Sequence, residues 1–222
     1  MFRDTIVATY CQSSLADPST MPARFVYFDL GKVLVHFDHQ TAVEQLSQIS
    51  GRPQELIQQV VFESDLQNRY ETGLVTSDQF ATEVNVALES ALPAADILEA
   101  ISAIFQPNVA ILAAIEIVKA SGVPLGILSN TCEAHWRWIM DKQWPMFGPW
   151  WSQTVLSYEV QGMKPANKIY EVCEHLADCR GENIFFTDDR ADNIAAADQR
   201  GWCTYQFGSA DTLIERLQAW LS

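Results

Sequence analysis

No apolar run in this 222-residue chain comes near the roughly 20 residues that a membrane-spanning helix needs. The longest apolar stretches are strand-sized, as in ARFVYF before Asp29. Basic residues are scarce: 14 Lys and Arg stand against 28 Asp and Glu, a formal net charge of -14, with no basic cluster. Such a chain has no electrostatic footprint for nucleic acid, and its excess acid reads as a solvated surface. Cysteine is sparse and unpatterned. Cys11, Cys132, Cys173, Cys179 and Cys203 are odd in number and contain no CxxC. This argues against a disulfide framework and for a reducing, cytoplasmic setting. The cysteines and the four histidines also lack zinc-ligand spacing. Repeats and low-complexity segments are absent. The opening residues MFRDTIVATYCQSSLADPST do not make a signal peptide, because IVATY is too short an apolar stretch. Residues 1–21 read as an N-terminal extension, and Met21 is an alternative start.

What is present is a foldable core, since 48% of the residues are hydrophobic. RFVYF (Arg24 to Phe28) reads as a buried strand ending at Asp29-Leu30-Gly31. From Gln40 to about Phe105 the apolar spacing is helical, with little strand signal. After Pro107, VAILAAIEIVKA reads as a helix opened by that proline. VPLGIL, TVLSYEV (Thr154 to Val160), NIFFT and CTYQF read as further strands, with helices between them. Strands alternating with helices imply a parallel sheet. The expected fold is α/β, a Rossmann-like three-layer sandwich with a small helical cap domain inserted after the first strand. Residues 22–39 and 106–222 would form the core, and residues 40–105 the cap. Five of the seven tryptophans fall in residues 136–151, where packing under a long loop is expected.

Polar clusters sit just past the carboxyl ends of three of these strands: Asp29, Ser129-Asn130 and Asp188-Asp189. Lys164 follows a fourth. Open α/β sheets bind ligands along that edge, so the four clusters are placed to converge. Three carboxylates repel one another unless a hard divalent cation sits among them, and carboxylate plus phosphate ligation suits magnesium. Lys164 adds positive charge. Ser129 and Asn130 offer hydrogen bonds to an anion, and also suit the N-terminus of the next helix. Together they describe a site for a phosphoryl group, with a carboxylate as nucleophile.

FDLGKVL, LSNT, GMKP and FTDDRADNIAAA, in that order, resemble the four motifs of the haloacid dehalogenase-like superfamily. The resemblance implies Asp29 as aspartyl nucleophile, Ser129 and Asn130 near the phosphate, and Lys164 as the catalytic lysine. It implies a magnesium ion held by Asp29, the Gly31 carbonyl, Asp189 and, directly or through water, Asp188. Asn193 would orient the lysine or its loop. YETGLVTSDQF (Tyr70 to Phe80) resembles a segment of the helical caps in this group. Most phosphatases of the superfamily carry a second Asp two residues after the nucleophile, where this chain has Gly31. That form is similar to the α-D-glucose-1-phosphate phosphatase-like group and, with an anomeric hydroxyl being a good leaving group, points to a sugar 1-phosphate. His36 and Asp38 are candidates for supplying the missing proton, although both also fit a loop entering the cap. The expected partner is a small phosphorylated metabolite, with no nucleic acid or membrane. Two alternatives are a 2-haloacid dehalogenase, which needs no metal, and a binding module with little catalysis.

Overall fold

The computed structural model describes residues 23–222; the expected extension, Met21 and Cys11 lie outside the described residues. β1 (Phe25–Phe28) is buried at every position. Its side chains alternate across the sheet. Val26 and Phe28 join one apolar cluster with Ile115, Val118 and Leu213, while Phe25 and Tyr27 join another with Ile169 and Tyr170. A strand covered on both faces must be apolar throughout, which is why RFVYF carries no polar alternation.

β2 (Val35–Phe37) and β3 (Phe105–Pro107) form a separate antiparallel pair, with Phe37 opposite Phe105. The main sheet contains β1, β4 (Leu125–Ser129), β5 (Trp151–Leu156), β6 (Ile184–Asp188) and β7 (Cys203–Gln206). Its order is β5-β4-β1-β6-β7, with every pairing parallel. The first cluster lies beneath α6 (Leu112–Ser121) and α11 (Ala210–Leu221). The second lies beneath α9 (Asn167–Ala177) and α10 (Ala191–Gln199). The architecture is therefore a three-layer α/β sandwich. Trp136, Trp138, Trp144, Trp150 and Trp151 pack, partly buried, against the first cluster.

Between β2 and β3 the chain runs through α1 (His39–Ser50), α2 (Gln54–Gln58), α3 (Leu66–Glu71), α4 (Ser77–Ala87) and α5 (Ala94–Ser102). They enclose a third cluster that includes Leu46, Ile57, Phe80, Val84 and Ile97. The paired strands β2 and β3 are thus the two connections between cap and core. Asn108 pins the return connection by donating from Nδ2 to the Val33 carbonyl at 2.8 Å.

Two elements differ from the sequence reading. The strand expected over Thr154–Val160 ends at Leu156, and Ser157–Val160 is a short helix, α8. β4 ends at Ser129, opposite Leu156, so residues beyond have no strand to pair with. Pro107 does not open a helix. It closes β3, where its missing N–H is tolerated in a two-stranded ribbon; the expected helix begins as a 3-10 turn over Val109–Ile111 and continues as α6 from Leu112. These hinge strands are three residues each, too short for a period-two signal.

Candidate active site

Asp29 follows β1, and its carboxylate sits at the centre of a buried ionic cluster. Lys164 Nζ donates to Asp29 Oδ1 at 2.7 Å, to Asp188 Oδ2 at 2.6 Å and to the Leu128 carbonyl at 3.0 Å. The lysine side chain is 1% exposed. All three donors are therefore spent, and the ammonium is fixed in direction. Burial opposes its charge, but Asp29 and Asp188 outweigh that and hold Lys164 above the ordinary lysine range.

Asp188 accepts hydrogen bonds on both oxygens. Besides Lys164 it takes the Arg190 N–H on Oδ1 at 2.8 Å and the Asn193 amide on both oxygens, at 3.1 and 3.0 Å. Asn193 Oδ1, in contrast, is buried without a hydrogen-bond partner. Asp189 is half-buried at the following position. Burial, then Asp188, pushes its carboxyl up, while Lys32 and Lys164 pull it back.

Sequence reasoning assigned Asn130 to the phosphate. Its amide also meets the Lys164 backbone: Nδ2 donates one of its two hydrogens to the Lys164 carbonyl and Oδ1 accepts the Lys164 N–H, both at 2.8 Å. Asn130 thus clamps the backbone that presents the lysine. Ser129 keeps its hydroxyl near free, with one long contact of 3.2 Å to the Asn130 carbonyl. The pair does not cap the next helix, α7 (Glu133–Asp141); Cys132 occupies the N-cap position, without a side-chain capping bond.

Gly31 lies beside the site with the ring of Phe37 against it; a Cβ on Gly31 would stand 2.9 Å from Phe37 Cε1. The two suggested proton donors lie on β2 and at the start of α1. Val35, Phe37 and His36 alternate along β2, and His36 is the exposed member. Asp38 is the N-cap of α1, accepting the Gln40 N–H at 2.9 Å. Cys132 is buried, which pushes its thiol up and away from thiolate chemistry.

Among the described residues, one group is arranged to hold a metal ion: Asp29, Asp188 and Asp189, with oxygens within 4.8 Å of one another. The electrostatics fit a cation. The Asp29 carboxyl is raised to about 7: burial pushes it up most, Lys164 offsets this only in part, and Asp188 adds to the rise. One lysine does not balance three carboxylates, and a hard divalent ion with oxygen ligands does.

The strand-end rule located Asp29, Ser129, Asp188 and Asp189. It missed Ser157, which stands immediately past β5, because the strand was read four residues too long. It also missed Phe37, which no chemical motif marks.

No family model matches the chain. It is 29% identical over 107 residues to an (S)-2-haloacid dehalogenase of Pseudomonas putida, an alignment covering 45% of this chain and 45% of that protein. A haloacid dehalogenase-family enzyme of Bacteroides thetaiotaomicron, solved with magnesium and inorganic phosphate, superposes with a TM-score of 0.74 at 23% identity. That match covers 84% of this chain and 95% of the other. A predicted haloacid dehalogenase-like hydrolase of Porphyromonas gingivalis gives a TM-score of 0.75 at 20% identity, over 90% and 98% of the two chains. The fold of this chain is that of the haloacid dehalogenase-like superfamily.

Proposed function

We propose that the chain is a magnesium-dependent hydrolase of small phosphate monoesters, acting through an aspartyl-phosphate on Asp29. The preferred substrate class is a sugar phosphate, in particular a sugar 1-phosphate. The observation that carries this reading is the cluster of Asp29, Asp188 and Asp189 around one fully committed lysine. The magnesium and phosphate bound by the Bacteroides enzyme of the same fold support it.

Asp29, Asp189 and the Gly31 carbonyl would hold the metal, with Asp188 behind them through water. Bound magnesium would neutralise charge on the phosphoryl oxygens. Lys164 favours the ionised form of Asp29, as the bound cation would, and aims one of its oxygens. That oxygen attacks phosphorus, the bond from phosphorus to the ester oxygen breaks, and the leaving oxygen keeps the electron pair. Position 31 carries no acid, so the leaving oxygen takes its proton from solvent. Water then attacks the phosphorus of the acyl phosphate, the bond to Asp29 breaks, and inorganic phosphate leaves. A general acid is typically worth about 10²–10⁴-fold, so good leaving groups such as an anomeric hydroxyl are favoured.

The setting that fits the cysteine usage is the cytoplasm; no helix among the described residues is long and apolar enough to cross a membrane. The test is phosphate release from a panel of sugar and aryl phosphates, with and without magnesium, in wild type and Asp29→Asn. Activity should require the metal and vanish in the variant. The Pseudomonas similarity favours a second reading, 2-haloacid dehalogenation. Halide release from 2-haloacids that survives a strong chelator would establish it instead. Inertness on both panels would leave a binding module on this fold.

A further inference from the structure

Ser157 lies at the boundary between core and cap and is 0% exposed. Its Oγ has three polar neighbours. It accepts the Thr131 N–H at 2.9 Å, and it has two carbonyls in range for its single proton. One is Glu71 of the cap at 2.6 Å; the other is Thr131 of its own domain at 3.0 Å. One hydrogen cannot serve both at full strength. Thr131 belongs to the Ser129–Thr131 loop beside the proposed phosphate position.

A second hydroxyl has the mirror arrangement. Thr72 Oγ1, on the cap, reaches the Asn68 carbonyl of its own helix at 2.6 Å and Met163 Sδ of the core at 2.9 Å. Met163 precedes Lys164. Between them Gly73, at φ +73°, lies so close to the Tyr158 carbonyl that any Cβ there would collide with it. Cap residues 71–73 thus rest on core residues 157–163, a segment that ends on the active-site lysine.

We propose that Ser157 is a positioning residue that couples the phosphate-binding loop to the seating of the cap. With the cap seated, its proton goes to Glu71. With the cap lifted, the proton falls back on Thr131, the longer of the two contacts, so the donor is not stranded but the short bond that grips the cap is lost. Thr72 makes the corresponding exchange from the other side. Whatever draws the Ser129–Thr131 loop onto a phosphoryl group moves Thr131 N–H, and with it the hydroxyl that grips the cap. This inference rests on the phosphatase reading, but its latch can be measured apart from it.

The experiment is amide hydrogen exchange of residues 70–76 in the full chain, with magnesium, with and without inorganic phosphate. Wild type, Ser157→Ala and Thr72→Val are compared, with saturable phosphate binding measured separately. Without phosphate, each variant should exchange faster over 70–76 by roughly 2- to 12-fold, the value of one hydrogen bond, with β1 and β6 unchanged. Unchanged exchange over 70–76 in both variants would overturn the latch. With phosphate, wild type should slow over 70–76 and Ser157→Ala should lose that response while still binding phosphate. An equal phosphate response in Ser157→Ala would overturn the coupling. Phosphate that binds wild type without slowing 70–76 would also overturn it, and would leave the phosphatase reading standing. Absence of phosphate binding would sink that reading and the coupling with it. If Ser157→Ala fails to fold, Thr72→Val carries the latch arm. Thr72→Val then carries the coupling arm as well: its slowing by phosphate over 70–76 should be smaller than that of wild type, and an equal response would count against coupling.

Discussion

Phe37 fills the space that a side chain at Gly31 would take. Its Cε1 stands 2.9 Å from the ideal Cβ position of residue 31. The ring is held from behind by Phe105 and His39, with centroids 5.8 and 5.0 Å away. Gly31 and Phe37 are therefore one feature, and a carboxylate cannot be restored at position 31 without moving a packed ring.

This gives a two-step prediction. Gly31→Asp alone should destabilise the chain by about 1–3 kcal/mol through overpacking, with no gain on poor leaving groups. Gly31→Asp combined with Phe37→Ala should recover room for the acid. On alkyl phosphates the double variant should then turn over faster than Phe37→Ala alone, by up to about 10²-fold. Plots of log kcat against leaving-group pKa would read this directly, and the double variant should have the shallower slope.

Lys164 is buried between two carboxylates, so removing it strands charge. Lys164→Met should abolish phosphate release and cost about 3–5 kcal/mol in denaturant unfolding. Magnesium should return part of the lost stability, because the ion supplies the missing positive charge. The activity should not return with it.

Metal removal is expected to be visible without turnover. Magnesium should raise the melting temperature of wild type at pH 8 and saturate with concentration. Asp29→Asn should melt higher than wild type in chelator, since the amide removes an uncompensated buried charge, and should gain less from magnesium. An Asp29→Asn protein that is less stable in chelator would show that the cluster is already balanced.

His135 lies between core and cap, with its Nε2 3.1 Å from the Ile101 carbonyl. Burial, then the neighbouring His39, lowers its pKa to about 4. The unfolded imidazole takes up its proton near pH 6.5, whereas the folded one resists until about pH 4. The stability that this neutral histidine contributes is thus present above pH 6.5 and lost progressively between about 6.5 and 4. Melting temperature should fall across that window, and less steeply in His135→Gln. Parallel curves would place the acid sensitivity elsewhere.

Much of the site was legible because its chemistry follows from local rules. A buried parallel strand announces itself as an unbroken apolar run, as in Phe25–Phe28 and 184–186, and polar residues at the carboxyl ends of such strands face one edge. Asp29, Ser129, Asp188 and Asp189 could be named from that alone. The helical cap was visible from apolar spacing, since Phe80, Val84 and Leu88 share one face.

What the amino-acid order determined by itself was the layered α/β plan and the inventory of acids and lysine at one sheet edge, because both depend on periodicity within short windows. What only the tertiary structure decided was the role of each group. Asn130 holds a backbone 34 residues away, Asp188 accepts from Lys164 and Asn193, and Phe37 closes over Gly31. Those roles depend on which donors meet which acceptors across long loops. Burial makes each pairing nearly compulsory, but the pairing itself is set only when the chain has folded.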